Sequence, residues 1–192
     1  MKITSIRTTP VLAPLPRPVR TASGAIERFP VVLIDLRTDA GVEGRAYSLV
    51  YLPELLPALE RCVAGIAGML VGRDLAPREL HAHLRQRCRL FGLKGMTGIA
   101  LGGLDMAIWD AWARARNEPL ARALGAELRP IKAYNSCGLW IQPVAGVADE
   151  AEALAAEGGF SAVKLRIGRD DPAQDLAAVR EGVVFGRTTF AN

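Results

Sequence analysis

The sequence predicts a chain in two parts. Residues 1–129 read as an α+β domain, a three-stranded antiparallel meander followed by helices. Residues 130–192 read as the start of a β/α region with parallel strands. Three observations carry this. The first 50 residues hold alternating apolar segments with a hairpin signal at "TDAG". Residues 52–126 hold helical apolar spacing with Gly and Pro stops. After about residue 130 the pattern becomes strand, helix, strand, helix, the spacing of βα units, which places strands in parallel.

Composition bounds the class. The chain has 192 residues, half of them hydrophobic and 23% charged, which describes a globular protein rather than a disordered one. Its apolar runs are too short to span a bilayer. The start "MKITSIRTTPVL" lacks the apolar core of a signal peptide. The net charge is +4, but the arginines are scattered among acids, so the balance favours small anions over nucleic acid. Cys62, Cys88 and Cys137 form no CxxC pair and are expected as small buried hydrophobes in a reducing, cytoplasmic setting. His81 and His83, at i and i+2 of a helix, point to different sides and share no metal.

The elements follow in order. Residues 2–13 alternate and read as an edge strand. The polar stretch 17–29, "RPVRTASGAIERF", reads as a loop, and 30–48 as a hairpin. Residues 52–72 and 76–90 read as helices, the second with Pro77 at its start. The segment 95–119 is the strongest helix, with Thr97 as its N-cap and Ile99, Leu104, Ala107, Ile108 and Ala111 on one face. A short helix follows at 119–126. Beyond the boundary, 130–138 reads as a strand, 147–159 as a helix, 161–168 as a strand, and 171–182 as a helix capped by Asp171 with Pro172 at N1.

The strand "SAVKLRIG" raises the chemical question. Side chains alternate along a strand, so Lys164 and Arg166 share one face and Val163, Leu165 and Ile167 the other. With helices covering the aliphatic face, the two cations look inward near the strand's C-terminal end, where α/β sites form. Two cations there call for a carboxylate. Lys164 is then a candidate general base, whereas a guanidinium keeps its proton and serves to orient or stabilise an anion. A K-x-R strand by itself is weak evidence, since a strand end with solvated charges has the same pattern.

Taken together, the loop "RPVRTASG", the hairpin "VVLIDLRTDAGVEGRAYS", the helix "GLDMAIWDAWARARNEPLARALGA", the strand "KAYNSCG" and the strand "GFSAVKLRIG" resemble the enolase superfamily, in its mandelate racemase branch. The resemblance implies an N-terminal capping domain and the first two βα units of a TIM-type (β/α)₈ barrel. It also implies abstraction of the proton α to a carboxylate, with the enolate held on Mg²⁺. It places Lys164 on the substrate carboxylate and Arg166 where the family has its second lysine, the base. Arginine there departs from the pattern, which is compatible with an acid-sugar dehydratase or another relative using a different base. It also implies substrate contacts from Arg20, Thr21 and Ala22 in a specificity-setting flap, and from Asn135 and Ser136 on the first barrel strand. Ordinary loop polarity and strand-end hydrogen bonding are the alternatives for these two groups.

The family's carboxylate ligands for Mg²⁺ lie on the third to fifth barrel strands, so no metal ligand is assigned in this chain. The resemblance implies a small 2-hydroxy acid or sugar acid as substrate, no nucleic acid or membrane partner, and a homo-oligomer. The tail "EGVVFGRTTFAN" does not read as a third strand and suggests a truncated or frameshifted end. From these features the isolated chain is expected to be marginally stable, with exposed strand edges, and to show little catalysis. A non-catalytic remnant that associates with a barrel-bearing partner is the competing reading, and a lactone-closing cycloisomerase a third. A dinucleotide enzyme is disfavoured because no G-x-G-x-x-G follows a strand.

Overall fold

The computed structural model describes residues 1–183, and the expectation for the tail beyond falls outside them. Two compact units emerge: residues 1–14 with 28–129, and residues 15–27 with the described residues from 130 onward. The first contains most of the sheet and four helices.

The sheet holds β1 (Ile3–Thr21), β2 (Gly24–Thr38) and β3 (Glu43–Leu49), ordered β1-β2-β3. β2 and β3 run antiparallel with Val31 opposite Leu49 and Arg37 opposite Glu43. The stretch 17–29, expected as a loop, is instead strand on both sides of a tight turn at Ala22 and Ser23. The reason lies in the position of β1 at the sheet edge. Pro10, Pro14, Pro16 and Pro18 all share one parity, so the missing amides fall on alternate positions, where an edge strand tolerates them. Thr21 ties the turn: its hydroxyl accepts from the Ser23 amide at 3.2 Å and donates to the Gly24 carbonyl at 3.3 Å.

Val32, Ile34 and Leu36 alternate into the core, as period-2 patterning requires. Residues of α1 (Leu56–Ala67), α2 (Pro77–Arg87) and α3 (Gly95–Ala115) complete this core, and the short α4 (Leu120–Ala123) packs on α3. α3 lies directly on β3. A Cβ at Gly44 would run into the Ala107 carbonyl oxygen and the Ala111 side chain, and one at Gly103 into the Ser48 hydroxyl. Two glycines therefore set how closely helix and strand approach. Two details of α3 differ from expectation. Its N-cap is Lys94, without a side-chain cap, because the helix starts two residues before Thr97. Leu104, Ala107, Ile108 and Ala111 are buried as expected, but Ile99 is 40% exposed, and Ala100 and Leu101 turn inward in its place.

The second unit is smaller. It contains α5 (Val147–Ala156) and α6 (Pro172–Val183). The Asp171 carboxylate accepts from the Ala173 amide at 2.9 Å, so Asp171 caps α6 as its sequence position suggested. Leu139, Val147, Ala151, Leu154 and Ala178 form its core. Among the described residues no helix is long and apolar enough to cross a membrane.

Candidate functional site

The second unit joins its two extended segments in parallel. Asn135 bridges Val163: the Asn135 amide donates to the Ala162 carbonyl, and the Lys164 amide donates to the Asn135 carbonyl, each at 2.9 Å. In an undisturbed ladder the Arg166 amide would next meet residue 137. It donates to the Leu139 carbonyl instead, at 2.9 Å. The expected strands over 130–138 and 161–168 thus reduce to one bridge and its flanking bonds.

Two local causes divert residues 136–138. The Asn135 side-chain oxygen takes the Cys137 amide at 3.0 Å, and Leu139 adopts a left-handed φ of 52°. Cys137 is consequently exposed, which corrects the expectation of a buried thiol; Cys88 is buried and Cys62 half-buried. Burial, reinforced by the neighbouring Cys88, pushes the Cys62 thiol above its usual range.

Val163 and Leu165 pack against the α5–α6 core. Alternation leaves Lys164 and Arg166 on the other side. Ile167, expected to pack with the aliphatics, is 58% exposed, because Gly168 with φ of 121° ends the extended run just beyond it. The Arg166 guanidinium carbon stands 5.4 Å from the centroid of the Trp140 ring. Its Nε and the Trp140 indole nitrogen are both buried without a hydrogen-bond partner among the described residues. Neither Lys164 nor Arg166 joins an ion pair among the described residues.

The remaining candidates fall into distinct places. Asn135 is buried, and its amide nitrogen donates to the Leu154 carbonyl at 3.0 Å and to Glu157 at 3.3 Å, so its polar atoms are engaged internally. Ser136 is exposed. The Arg20 side chain is exposed, while its carbonyl accepts from the Ile141 amide at 3.2 Å. Thr21 and Ala22 line a cleft of about 620 Å³ with Ile141, Gln142, Gly168 and Arg169. A Cβ at Gly168 would press on Ala22 at 3.2 Å, so a bare backbone lets the hairpin tip reach this loop. Lys164 and Arg166 lie outside the lining of that cleft.

A clamp absent from the expected residues holds the cleft's rim. Arg169 donates to Asp175 at 2.7 Å and to the Gln142 carbonyl at 2.8 Å, with only 6% of its side chain exposed. Asp175 also accepts from the amides of Gly168 and Arg169. Desolvation pushes the Asp175 carboxyl up, but the Arg169 hydrogen bond, the two amides and the guanidinium charge outweigh it and hold it below the usual carboxylate range. Neither this pair nor Trp140 has a spacing signal in sequence. Arg169 and Asp175 straddle a helix start, and Trp140 meets Arg166 only through the parallel pairing.

This arrangement defines a class: an α+β cap followed by a parallel βα pairing whose two cations are unpaired among the described residues. Residues 3–125 match the family described as mandelate racemase / muconate lactonizing enzyme, N-terminal domain, and the chain belongs to that family, within the enolase superfamily. It is similar to the D-galactarolactone cycloisomerase of Agrobacterium fabrum, 31% identical over 95% of this chain and 49% of the relative. The L-Ala-D/L-Glu epimerase of Bacillus subtilis is 27% identical over 94% of this chain and 48% of its own. Among solved structures, an enolase from alpha proteobacterium bal199 with bound magnesium superposes with a TM-score of 0.89 and 42% identity, over 97% of this chain and 52% of that one. An enolase from Bradyrhizobium, complexed with magnesium and mandelic acid, reaches 0.83 and 35%, over 94% and 49%. The chain spans about half the length of these relatives.

Relatives bind magnesium. Among the described residues, however, no three His, Cys, Asp or Glu side chains gather in a way that holds a metal ion. The described residues do not by themselves fit a Mg²⁺ site.

Proposed function

We propose that this chain supplies the substrate-facing start of an enolase-superfamily active site, taking the carboxylate of a 2-hydroxy acid or sugar acid whose α-proton is removed. The observation that carries the reading is the cationic side of residues 162–166. Lys164 and Arg166 stand opposite the aliphatic pair Val163 and Leu165, without ion-pair partners among the described residues. Two adjacent uncompensated cations favour an anionic ligand. Lys164 contacts the carboxylate. Arg166 keeps its proton and stabilises the negative charge that grows on the carboxylate as the proton leaves. The flap Arg20, Thr21 and Ala22 closes over the ligand, and Ser136 offers a hydroxyl to it. The polar atoms of Asn135 are already engaged, so its part is to hold the first segment in register.

Arginine in place of the family's basic lysine favours a second reading of equal weight, an acid-sugar dehydratase whose base is another residue. The L-talarate/galactarate dehydratase of Salmonella typhimurium, 30% identical over 62% of this chain, supports it. Calorimetric titration with mandelate and galactarate tests the shared core of both readings. Binding is expected to weaken about tenfold in Lys164→Met and in Arg166→Met, the loss of one charged hydrogen bond. Equal affinity in wild type and both variants would sink it. Exchange of the α-proton in D₂O with Mg²⁺ present then separates a catalytic chain from a binding module. We expect no exchange above a protein-free control, because Arg166 is a poor base and the described residues hold no Mg²⁺ site; exchange above it would show that the chain is catalytic and that another of its residues serves as the base.

A further inference from the structure

We infer that Trp140 is a further ligand-binding residue, and that its indole N–H and the Nε–H of Arg166 share one two-oxygen acceptor, the carboxylate of the bound anion. The inference rests on the anion-binding reading above and extends it to a residue outside the cationic strand. Both nitrogens are buried, and both lack a hydrogen-bond partner among the described residues. Native structures leave few such groups, and each asks for an acceptor. The two side chains are neighbours, with the guanidinium carbon 5.4 Å from the ring centroid. Attraction between cation and ring accounts for that stacking. It leaves the N–H groups unanswered, because they lie in the planes of their own groups rather than between them.

The chemistry of the acceptor follows from what is missing. It must neutralise a positive charge and meet two donors with two oxygens; an ionised carboxylate does both, whereas a neutral carbonyl has lone pairs on one oxygen and no charge. Three carboxylates of the same unit have other partners. Glu150 accepts from the Leu139 amide and Gln142, Glu157 from Asn135, and Asp175 from Arg169. Lys164, two positions along on the same side, adds charge of the same sign.

The test uses the full chain and sodium lactate, which has no ring to stack on Trp140. Lactate affinity is expected to fall at least roughly tenfold in Trp140→Phe, which keeps an aromatic ring and deletes the N–H. In ¹⁵N-labelled wild-type protein, the Trp140 indole resonance, identified by its absence from that variant, shifts on titration while those of Trp109 and Trp112 stay. Lactamide, the neutral analogue, leaves it in place. Wild-type binding that Trp140→Phe keeps within twofold, or an indole signal indifferent to bound lactate, overturns this inference alone and leaves the anion site standing. A wild-type chain that binds no lactate overturns the proposed function and this inference together. The resonance measurement needs no ligand-binding variant, so a poorly folding Trp140→Phe does not shelter the inference.

Discussion

Removing the Asp175 carboxylate should unfold the second unit and spare the first. Asp175→Ala deletes the 2.7 Å bond from Arg169 and the acceptor for the amides of Gly168 and Arg169. It leaves a guanidinium that is 6% exposed without its counter-ion. Removing one partner of a buried pair costs about 3–5 kcal/mol, and because Asp175 is 19% exposed we take the lower end, about 3 kcal/mol. The second unit has little reserve against such a loss. Of the twelve largest fully buried side chains among the described residues, nine lie in the first unit and only Leu139, Val147 and Leu154 in the second. Each contributes about 1.5–3 kcal/mol, set against the conformational entropy of the whole unit.

The assay is amide hydrogen exchange read by mass spectrometry, with Glu152→Ala, on the exposed side of α5, as control. In Asp175→Ala, peptides from α5, α6 and residues 135–166 should lose protection while those from β2 and α3 keep it. Wild-type protection across residues 135–183 would refute the clamp. A pH arm checks the sign. The folded carboxyl is held below its ordinary value, so its contribution is complete above about pH 4, the unfolded value. It is lost as pH falls through the lower folded value. The wild-type unit should therefore lose stability in that acid window, and Asp175→Ala should lack that component of the decline.

Two further outcomes check other parts of the argument. Gly44→Ala drives a methyl into the Ala107 carbonyl and the Ala111 side chain, and should lower the urea midpoint by the equivalent of about 1–3 kcal/mol; an unchanged midpoint would mean that α3 does not rest on β3 as described. Cys137 should react with a thiol reagent first, Cys62 slowly because burial raises its thiol, and Cys88 only on unfolding; equal rates for the three would refute the burial order.

The period-2 pattern of β2, the helical spacing of α3 and the Gly and Pro stops are local signals, and they sufficed for the β2–β3 hairpin and for the order of the helices. Composition misled at residues 17–29, because prolines and arginines suggest a loop until β1 is known to be an edge strand whose proline positions share one parity. Periodicity at the start of α3 left the buried face uncertain by one residue, since the choice between Ile99 and Ala100 depends on where α3 meets the sheet. Which donors lack acceptors was settled only in three dimensions. Trp140 reaches Arg166 through the pairing of segments some 25 residues apart, and Arg169, which turns back to Asp175 across the start of α6, reaches Gln142 through the meeting of two loops. A sequence pattern states which way a side chain faces along its own element. It does not state what stands opposite, because that depends on register and on left-handed residues such as Leu139 that local propensity does not announce.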